Sequence, residues 1–336
     1  MISFSLASRE DDAGIRHLLA SNPMPGRIRV RFEREPSYFA GCGDGAQVLV
    51  ARDGARVVGV ACRDVRRLYV NGVAEEVGYL GQLRVDRAYR GQLLTARGYR
   101  VMRELHAAAP VRGYYTTIVE GNAQAEGVLV RRSRGPMPRY RFLERLCTVA
   151  VPVERRALAR RGLGRRTEGE ARPEPRRAEA RRSTTPNLFP AYDAKGEIVT
   201  VPGGSSALHD QRTYKQTIID GYDRALSVVR PLYNLVGRIK LPPPNTPLNH
   251  AYVTHFTADD AAAAHALIEA LQAKAAERQL DHILLGFTES DPFLAVARRF
   301  RPVEYISSIY TVAFDDGDDF HDRLLARPRS LDISAL

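Results

Sequence analysis

The chain has 336 residues, of which 44% are hydrophobic and 26% charged, as is typical of a soluble globular protein. No apolar run reaches the ~20 residues that a membrane-spanning helix needs, and the N-terminal residues turn acidic too early for a secretory signal peptide. The net charge of +11 would suggest a nucleic-acid-binding protein, but residues 154–182 alone carry eleven arginines and five glutamates, so the remaining chain is only mildly basic.

Strand-like and amphipathic runs alternate through the first 150 residues. Two hairpins are indicated by the pairs Asp53-Gly54 and Asn71-Gly72, because such residues tolerate the positive φ of tight turns. Between the first helix and the first hairpin we expect a Pro- and Arg-rich loop. The predicted elements are, in chain order, strand 2–6, helix 11–21, strands 47–53, 56–64, 68–70, 73–76 and 77–85, helix 91–108, strand 114–119, helix 123–132 and strand 141–151.

The arginine-rich stretch after these elements is predicted to be a linker, with bounds 154–200. It is poor in apolar residues and contains Pro173 and Pro175, so it cannot bury enough surface to offset the entropy of ordering. Contact with RNA or DNA is an alternative, although no aromatic residue lies among these arginines to stack on bases.

The second half repeats the pattern of the first. Residues 250–256 are strand-like, 258–279 form an Ala-rich helix, and 282–314 follow the strand, helix, strand order of residues 114–151. Duplication explains this order, as would two unrelated α/β units. The polar run 208–222 is interpreted as a helix, on which Asp210, Arg212 and Lys215 face either a substrate cleft or solvent.

The chemically informative segment is residues 83–95. A strand ends at Val85, a turn ends in Arg90-Gly91-Gln92, and a helix follows at once. Free N–H groups at a helix start, with the helix dipole, favour a phosphate, and Arg90 adds a charge-assisted contact.

These residues, V-D-R-A-Y-R-G-Q, resemble the signature of the GNAT (GCN5-related) N-acyltransferases. The resemblance implies an α/β fold of two GNAT-like domains, residues 1–153 and 201–328, each a mixed, largely antiparallel sheet flanked by helices, with the second copy degenerate. It implies that acetyl-CoA or a longer acyl-CoA is the co-substrate. The residues it assigns to the coenzyme are Leu83, Arg84, Val85, Arg90, Gly91, Gln92, Leu93, Leu94, Thr95 and Asn122.

The sequence also departs from the family pattern. Leu93 and Thr95 stand where the family has small residues, and Leu129 stands where many members have a tyrosine that protonates the leaving thiolate. Asn122 and Ala125, in contrast, match the family's N-x-x-A.

The activity that the resemblance implies is direct attack of an amine on an acyl thioester. Backbone N–H groups at 83–85 would stabilise the thioester oxygen, Glu76 or Glu120 would accept the proton, and Tyr79 would act as the acid. Each carboxylate is equally explained as a solvated strand end. The acceptor is unidentified, and the run RIRVRFER would suit an acidic acceptor or an acidic acyl-carrier protein.

Two alternatives to an enzyme remain open: a catalytically inactive CoA-binding scaffold, and a nucleic-acid-binding protein acting through the linker. No metal is expected, because His250 and His255, five residues apart on a strand, face opposite ways. The Gly-rich run 41–45 precedes a strand instead of following one, which disfavours a dinucleotide site. Three cysteines without paired spacing, Cys42, Cys62 and Cys147, favour a reducing cytoplasm.

Overall fold

The computed structural model describes residues 1–24, 28–91, 93–131, 137–153, 185–236, 241–314 and 319–336. The strands are β1 (Ile2–Leu6), β2 (Ile28–Glu33), β3 (Ala46–Asp53), β4 (Arg56–Val70), β5 (Val73–Val85), β6 (Tyr114–Val119), β7 (Arg139–Pro152), β8 (Phe189–Pro190), β9 (Glu197–Val201), β10 (Gly204–His209), β11 (Gln216–Tyr222), β12 (Thr246–Pro247), β13 (His250–Ala258), β14 (His282–Thr288) and β15 (Val303–Ala313). The helices are α1 (Asp12–Ala20), α2 (Leu94–Ala108), α3 (Ala123–Ala125, continued by a π-helical turn, Glu126–Val130), α4 (Arg224–Val236), α5 (Ala261–Glu277), α6 (Phe293–Arg298) and α7 (Asp319–Leu325).

One mixed sheet runs through the molecule. Within the described residues it has 12 strands in the order β1-β3-β4-β5-β6-β15-β7-β14-β13-β10-β9, with β8 paired to β4. All pairs are antiparallel except β5–β6 and β13–β14. The predicted fold class, a mixed and largely antiparallel sheet flanked by helices, is therefore confirmed. The strands of the two halves form one continuous sheet, and the predicted domain boundaries stay a prediction.

The last strands of the two halves are exchanged at the centre of this sheet. β15 lies between β6 and β7, and β7 lies between β15 and β14, so each half is completed by a strand of the other. The order β5-α2-β6-α3-β7 recurs as β13-α5-β14-α6-β15. Such a correspondence is what a duplication predicts.

Both predicted hairpins are present. At the second, Asn71 and Gly72 have φ of 52° and 81°, and β4 and β5 pair continuously from Val70 and Val73 outward. At the first, the two-residue loop is Gly54-Ala55, one residue later than predicted, and Gly54 has the positive φ of 59°. The breaks predicted within β4 and β5 are absent, because the two strands pair in register through these positions, with Arg66 opposite Val77 and Arg67 opposite Glu76.

Two predictions about local structure are wrong. Residues 28–33, predicted as loop, form β2, and the run 208–222, predicted as a helix, contains the end of β10, a turn and β11. β2 and β11 pair in a second, three-stranded sheet with β12. Pairing across about 190 positions of sequence supplies the hydrogen bonds that local periodicity could not indicate.

Helices cover the sheet and bury its apolar side chains. α2 packs its Tyr99 and Met102 on Leu49, Leu80 and Tyr114, and α5 packs Leu267, Ile268 and Leu271 on the strands of the second half. In the part of the chain that the structure describes, no helix is long and apolar enough to cross a membrane. Most of the predicted linker, residues 154–184, lies outside the described residues.

Candidate functional site

β5 and β6 pair over only two positions, in the middle of β5 and at the start of β6, and then separate. They pair only at Gly78–Tyr114 and Tyr79–Tyr115, and the hydroxyl of Thr116 then donates to the carbonyl of Leu80 at 2.6 Å. Gln82, with φ of 57°, forms a bulge that bends β5. The edge of β5 from residue 81 to residue 85 therefore faces β6 without a strand partner, which leaves main-chain groups available to a ligand.

A largely apolar cleft of about 460 Å³ fills this opening. Its walls come from β4, β5, β6, α2 and α3 on one side and from strands of the second half on the other. Among the residues predicted to bind the coenzyme, those lining the cleft are Leu83, Arg84, Val85, Leu94, Thr95 and Asn122. The apolar walls of the cleft suit a ligand with an apolar portion.

The start of α2 lies at the outer end of this cleft. Its N-cap residue, Leu93, has left-handed geometry (φ 56°) and provides no side-chain hydrogen bond to the first turn. Gly91 has φ of 87° and open space where a Cβ would lie. Arg90 is exposed, and its guanidinium donates at 3.3 to 3.4 Å to Val85, Gln124 and Asn22. Gln92 lies outside the described residues.

Asn122 and Leu129 also line the cleft. Asn122 caps α3, its Oδ1 accepting from the N–H of Ala125 at 3.1 Å. Leu129 is buried in the core beneath α2 and α3, so it completes the apolar wall and offers no proton.

A second, more polar cavity of about 470 Å³ adjoins the cleft between the two halves; we call it the chamber. The residues that border both cavities are Arg34, Cys62, Tyr79, Gln82, Lys215 and Leu336. Because they are shared, a ligand in the cleft and a ligand in the chamber would meet beside the bulge of β5. Such an arrangement suits a reaction between two substrates.

The chamber contains a buried carboxylate with an unused oxygen. Asp64 Oδ2 accepts from Arg66 Nη2 at 2.6 Å, whereas Oδ1 is buried without a hydrogen-bond partner among the described residues. The guanidinium of Arg66 lies 5.0 Å from the centre of the Tyr79 ring. Burial raises the pKa of Tyr79, whose hydroxyl lies 3.4 Å from Thr117 Oγ1, so this phenol is a protonated donor at neutral pH.

The second half contributes further polar groups to the chamber. Burial lowers the pKa of His209, whose ring nitrogens lie 3.0 Å from the Tyr214 hydroxyl and 3.2 Å from Gln211 Nε2. Asp332 Oδ2 accepts from the Thr254 hydroxyl at 2.8 Å. Both groups are held by neighbours, whereas Asp64 Oδ1 is free to bind a ligand.

The other predicted site residues are dispersed. Glu76 and Glu120 are exposed and line neither cavity, and Glu120 forms an ion pair with Arg145. Asp210 and Arg212 pair with each other at 2.7 Å outside both cavities. Tyr79 and Lys215 border both cavities, so these two of the predicted catalytic and cleft residues lie where substrates would meet.

Sequence reasoning missed Asp64, Arg66 and the role of Arg34. A signal was present, because Cys62, Asp64 and Arg66 alternate along β4 and therefore share one face of a strand whose first half is largely apolar. Polar side chains on the inward face of a buried strand indicate either a buried network or a binding site. The described arginines of the run RIRVRFER have different surroundings. Arg29 and Arg31 form ion pairs with Asp220, whereas Arg34 is buried.

No family model matches the sequence. No curated protein matches it either. The chain is similar in fold to Saccharomyces cerevisiae N-myristoyltransferase with bound myristoyl-CoA, at 11% identity and a TM-score of 0.49, over 92% of this chain and 82% of that one. It is similar to GCN5-related N-acetyltransferases from Anabaena variabilis (9% identity, TM-score 0.47, 94% and 73% covered) and Kribbella flavida (11%, 0.46, 93% and 70%). At such identities and TM-scores, these likenesses leave the function to be argued from the site.

Proposed function

We propose that the protein is an acyl-CoA-dependent N-acyltransferase. The main support for this proposal is the opening between β5 and β6. This opening connects the start of α2, which has no side-chain cap, to the chamber. The pyrophosphate of CoA would bind the first-turn N–H groups of α2 and Arg90, and the pantetheine arm would pair with the free edge of β5. The acyl chain would occupy the apolar cleft. Acetyl-CoA and longer acyl-CoAs both remain candidate donors.

The helix that follows the corresponding strand starts differently in the two halves, and this difference favours the first half as the coenzyme site. At the start of α5, which corresponds to α2, the carboxylate of Asp260 accepts from the N–H of Ala263 at 2.8 Å. A carboxylate already occupies the place that a phosphate would take, and its charge repels one. At α2, Leu93 leaves that place open.

The chemistry at the junction follows from the chamber. An amine entering the chamber would donate to Asp64 Oδ1, which then accepts its proton as the nitrogen attacks the thioester carbon. Main-chain N–H groups on the free edge of β5 would stabilise the oxyanion, and Tyr79 would protonate the departing thiolate. The C–S bond breaks as the C–N bond forms, so the acyl group passes directly to the amine. Glu76 and Glu120, both exposed, are not used in this scheme.

Calorimetric titration with acetyl-CoA and with a long-chain acyl-CoA tests the coenzyme site. We expect Arg90→Ala to weaken binding about tenfold or more, because a charge-assisted phosphate contact is lost. Arg87→Ala removes an equally exposed charge three residues earlier and should bind like the unaltered protein. Absence of binding to either thioester would exclude an acyl-CoA enzyme.

Turnover separates the enzyme from the scaffold alternative. With a mixture of amines, free thiol release should fall at least about a hundredfold in Asp64→Asn while acyl-CoA affinity is kept, because the proton acceptor is lost. Saturable binding without thiol release in the unaltered protein would favour the scaffold. Nucleic-acid binding through residues 154–182 remains a separate prediction, tested by deleting them and following affinity against salt.

A further inference from the structure

Two arginines line the cleft: one is buried where the cleft meets the chamber, and the other is half-buried on β5. Arg34, just after β2, is only 5% exposed and borders both cavities. Arg84, near the end of β5, lines the cleft. Arginine is among the residue types least often buried without a partner, so the contacts of this pair need an explanation.

Neither guanidinium is neutralised by the described part of the protein. Arg34 Nη1 donates to the main-chain carbonyl of Glu33 at 3.1 Å, and Arg84 Nη1 donates to that of Leu83 at 2.9 Å. No carboxylate of the described residues forms an ion pair with either. Elsewhere the chain supplies several partners or an acid to such arginines. The half-buried Arg66 pairs with Asp64 at 2.6 Å and Arg329 with Glu144 at 2.7 Å. Arg63, 2% exposed, donates to three neutral acceptors, among them the Tyr114 hydroxyl at 2.8 Å.

The two charges also affect each other. Burial lowers the pKa of Arg34, and burial together with the nearby charge of Arg34 lowers the pKa of Arg84. A buried and uncompensated charge is costly, and each guanidinium has five N–H donors that are mostly unused here. A bound anion would remove both costs.

Further donors converge on the same place. The hydroxyl of Tyr38, a side chain 2% exposed on the chamber wall, has no hydrogen-bond partner among the described residues. Lys215 arrives from the second half and donates to the main-chain oxygen of Leu336 at 2.7 Å. The positive charge of Arg34 helps to lower the pKa of Lys215, after burial, which places these cations near one another.

We propose that Arg34, Arg84 and Tyr38 bind the carboxylate of the acceptor, so that the acceptor is a small molecule carrying both an amine and a carboxylate. This inference rests on the proposed function, in which the amine of that molecule meets Asp64 and the thioester. A planar carboxylate fits the guanidinium fork in a bidentate manner. The phosphates of CoA belong at the exposed start of α2, where Arg90 lies, whereas Arg34 borders the acceptor chamber.

Paired acceptors test this assignment. We would supply the acyl-CoA that binds, together with a panel of free amino acids and the matching C-terminal amides, and measure acylated products by mass spectrometry. The unaltered protein should acylate free acids in preference to amides. Arg34→Gln should raise the KM for the acids about tenfold or more and change the KM for the matching amides much less. Equal use of acids and amides by both proteins would overturn the proposal.

A second experiment measures the effect of ligands on thermal stability, and it tests the carboxylate site without requiring acyl transfer. Thermal unfolding would be followed with glycine, succinate or inorganic phosphate added to the unaltered protein, to Arg34→Gln, to Arg84→Gln and to the control Arg298→Gln. Arg298 is exposed and pairs with Glu304 outside both cavities. Stabilisation by glycine or succinate, lost in the first two variants and kept in the control, supports the carboxylate site even if acyl transfer fails. Stabilisation by phosphate alone, or by none of the probes, overturns it.

The variants themselves distinguish a binding role from a structural one. Removing an uncompensated buried charge should leave the unfolding temperature of the ligand-free protein unchanged or raised. A large decrease in both Arg34→Gln and Arg84→Gln, with no response of the unaltered protein to any carboxylate, would mean that these arginines only support the fold. If one variant fails to fold, the other provides the same comparison.

Discussion

At the scale of single residues, a buried carboxylate outside both cavities is paired with an arginine, and it raises the pKa of a neighbouring acid. Glu144, 8% exposed, accepts from Arg329 Nε at 2.7 Å and from the N–H of Ser290 at 2.8 Å. The neighbouring Asp291, two residues before α6, accepts from the N–H of Phe293 at 2.8 Å. Burial, assisted by the negative charge of Glu144, raises the pKa of Asp291 to about 6. Folding therefore favours the protonated form of this side chain.

The consequence is a pH-dependent stability. Because the folded pKa of about 6 exceeds the ordinary value of 3.8, the stabilising contribution is complete below pH 3.8 and is lost as the pH rises through 6. We expect Asp291→Asn, whose amide oxygen can still accept from the N–H of Phe293, to raise the free energy of unfolding at pH 8 by about 1 to 2 kcal/mol, because partial exposure reduces the full linkage value.

Chemical denaturation at pH 8 and pH 5 measures this difference. The advantage of Asp291→Asn should shrink as the pH falls, because the aspartic acid regains its proton in the folded protein. Glu10→Gln, at an exposed position, is the control. Its effect on the free energy of unfolding should be similar at both pH values. An advantage that grows toward pH 5 would contradict the assignment.

At the scale of elements, the start of α2 combines local strain with an unused binding surface. Leu93 has φ of 56° and its side chain is 74% exposed, so nothing in its packing offsets the cost of left-handed backbone, about 1 kcal/mol for a residue with a Cβ. Glycine adopts this conformation without that cost. The strained geometry holds the first turn open toward the cleft.

We expect Leu93→Gly to raise the free energy of unfolding by about 0.5 to 1 kcal/mol and to bind acyl-CoA at least as tightly as the unaltered protein. Leu232→Gly, in the exposed face of α4 and without positive φ, is the matched control and should lower stability by about 0.5 to 1 kcal/mol. Denaturant titration and calorimetry provide both measurements. Equal destabilisation by the two substitutions would exclude strain at Leu93.

At the scale of the molecule, the exchanged strands join the halves. β15 forms registered pairs with β6 from Ser307 to Val312 and with β7 from Val303 to Ala313, all across the boundary between the halves. A fragment of residues 1–153 would expose one edge of β6 and both edges of β7. The backbone N–H and C=O groups on these edges are paired with strands of the second half in the whole protein and would be unpaired in the fragment.

We therefore expect the fragment 1–153, expressed alone, to lack cooperative unfolding or to aggregate, and co-expression with residues 185–336 to restore a folded complex. Circular dichroism during thermal unfolding and size-exclusion chromatography distinguish these states. The matched control is the pair of fragments mixed after separate purification. A monomeric 1–153 fragment with a cooperative transition would contradict the dependence and favour two independently folding domains.

The sequence by itself determined the elements whose information is local. These elements depend on residues that are close to each other in the sequence. They are the hairpin turns at Gly54 and Asn71-Gly72, the apolar periodicity of α2 and α5, and the strand, turn, helix order around Arg90. The same local logic made residues 208–222 resemble a helix, because the strand partner of β11 is β2, about 190 residues away.

Only the tertiary structure decided where the site lies. The exchange of β7 and β15 brings the second half against the opening of β5, and this juxtaposition places Arg34, Asp64 and Lys215 around one pair of cavities. Glu76 lies on β5 and Glu120 directly after β6, but both are outside those cavities. Position along a strand does not specify which face of the sheet the other half covers. Periodicity is a property of neighbouring residues, whereas burial and charge compensation depend on residues that meet only when the chain is folded.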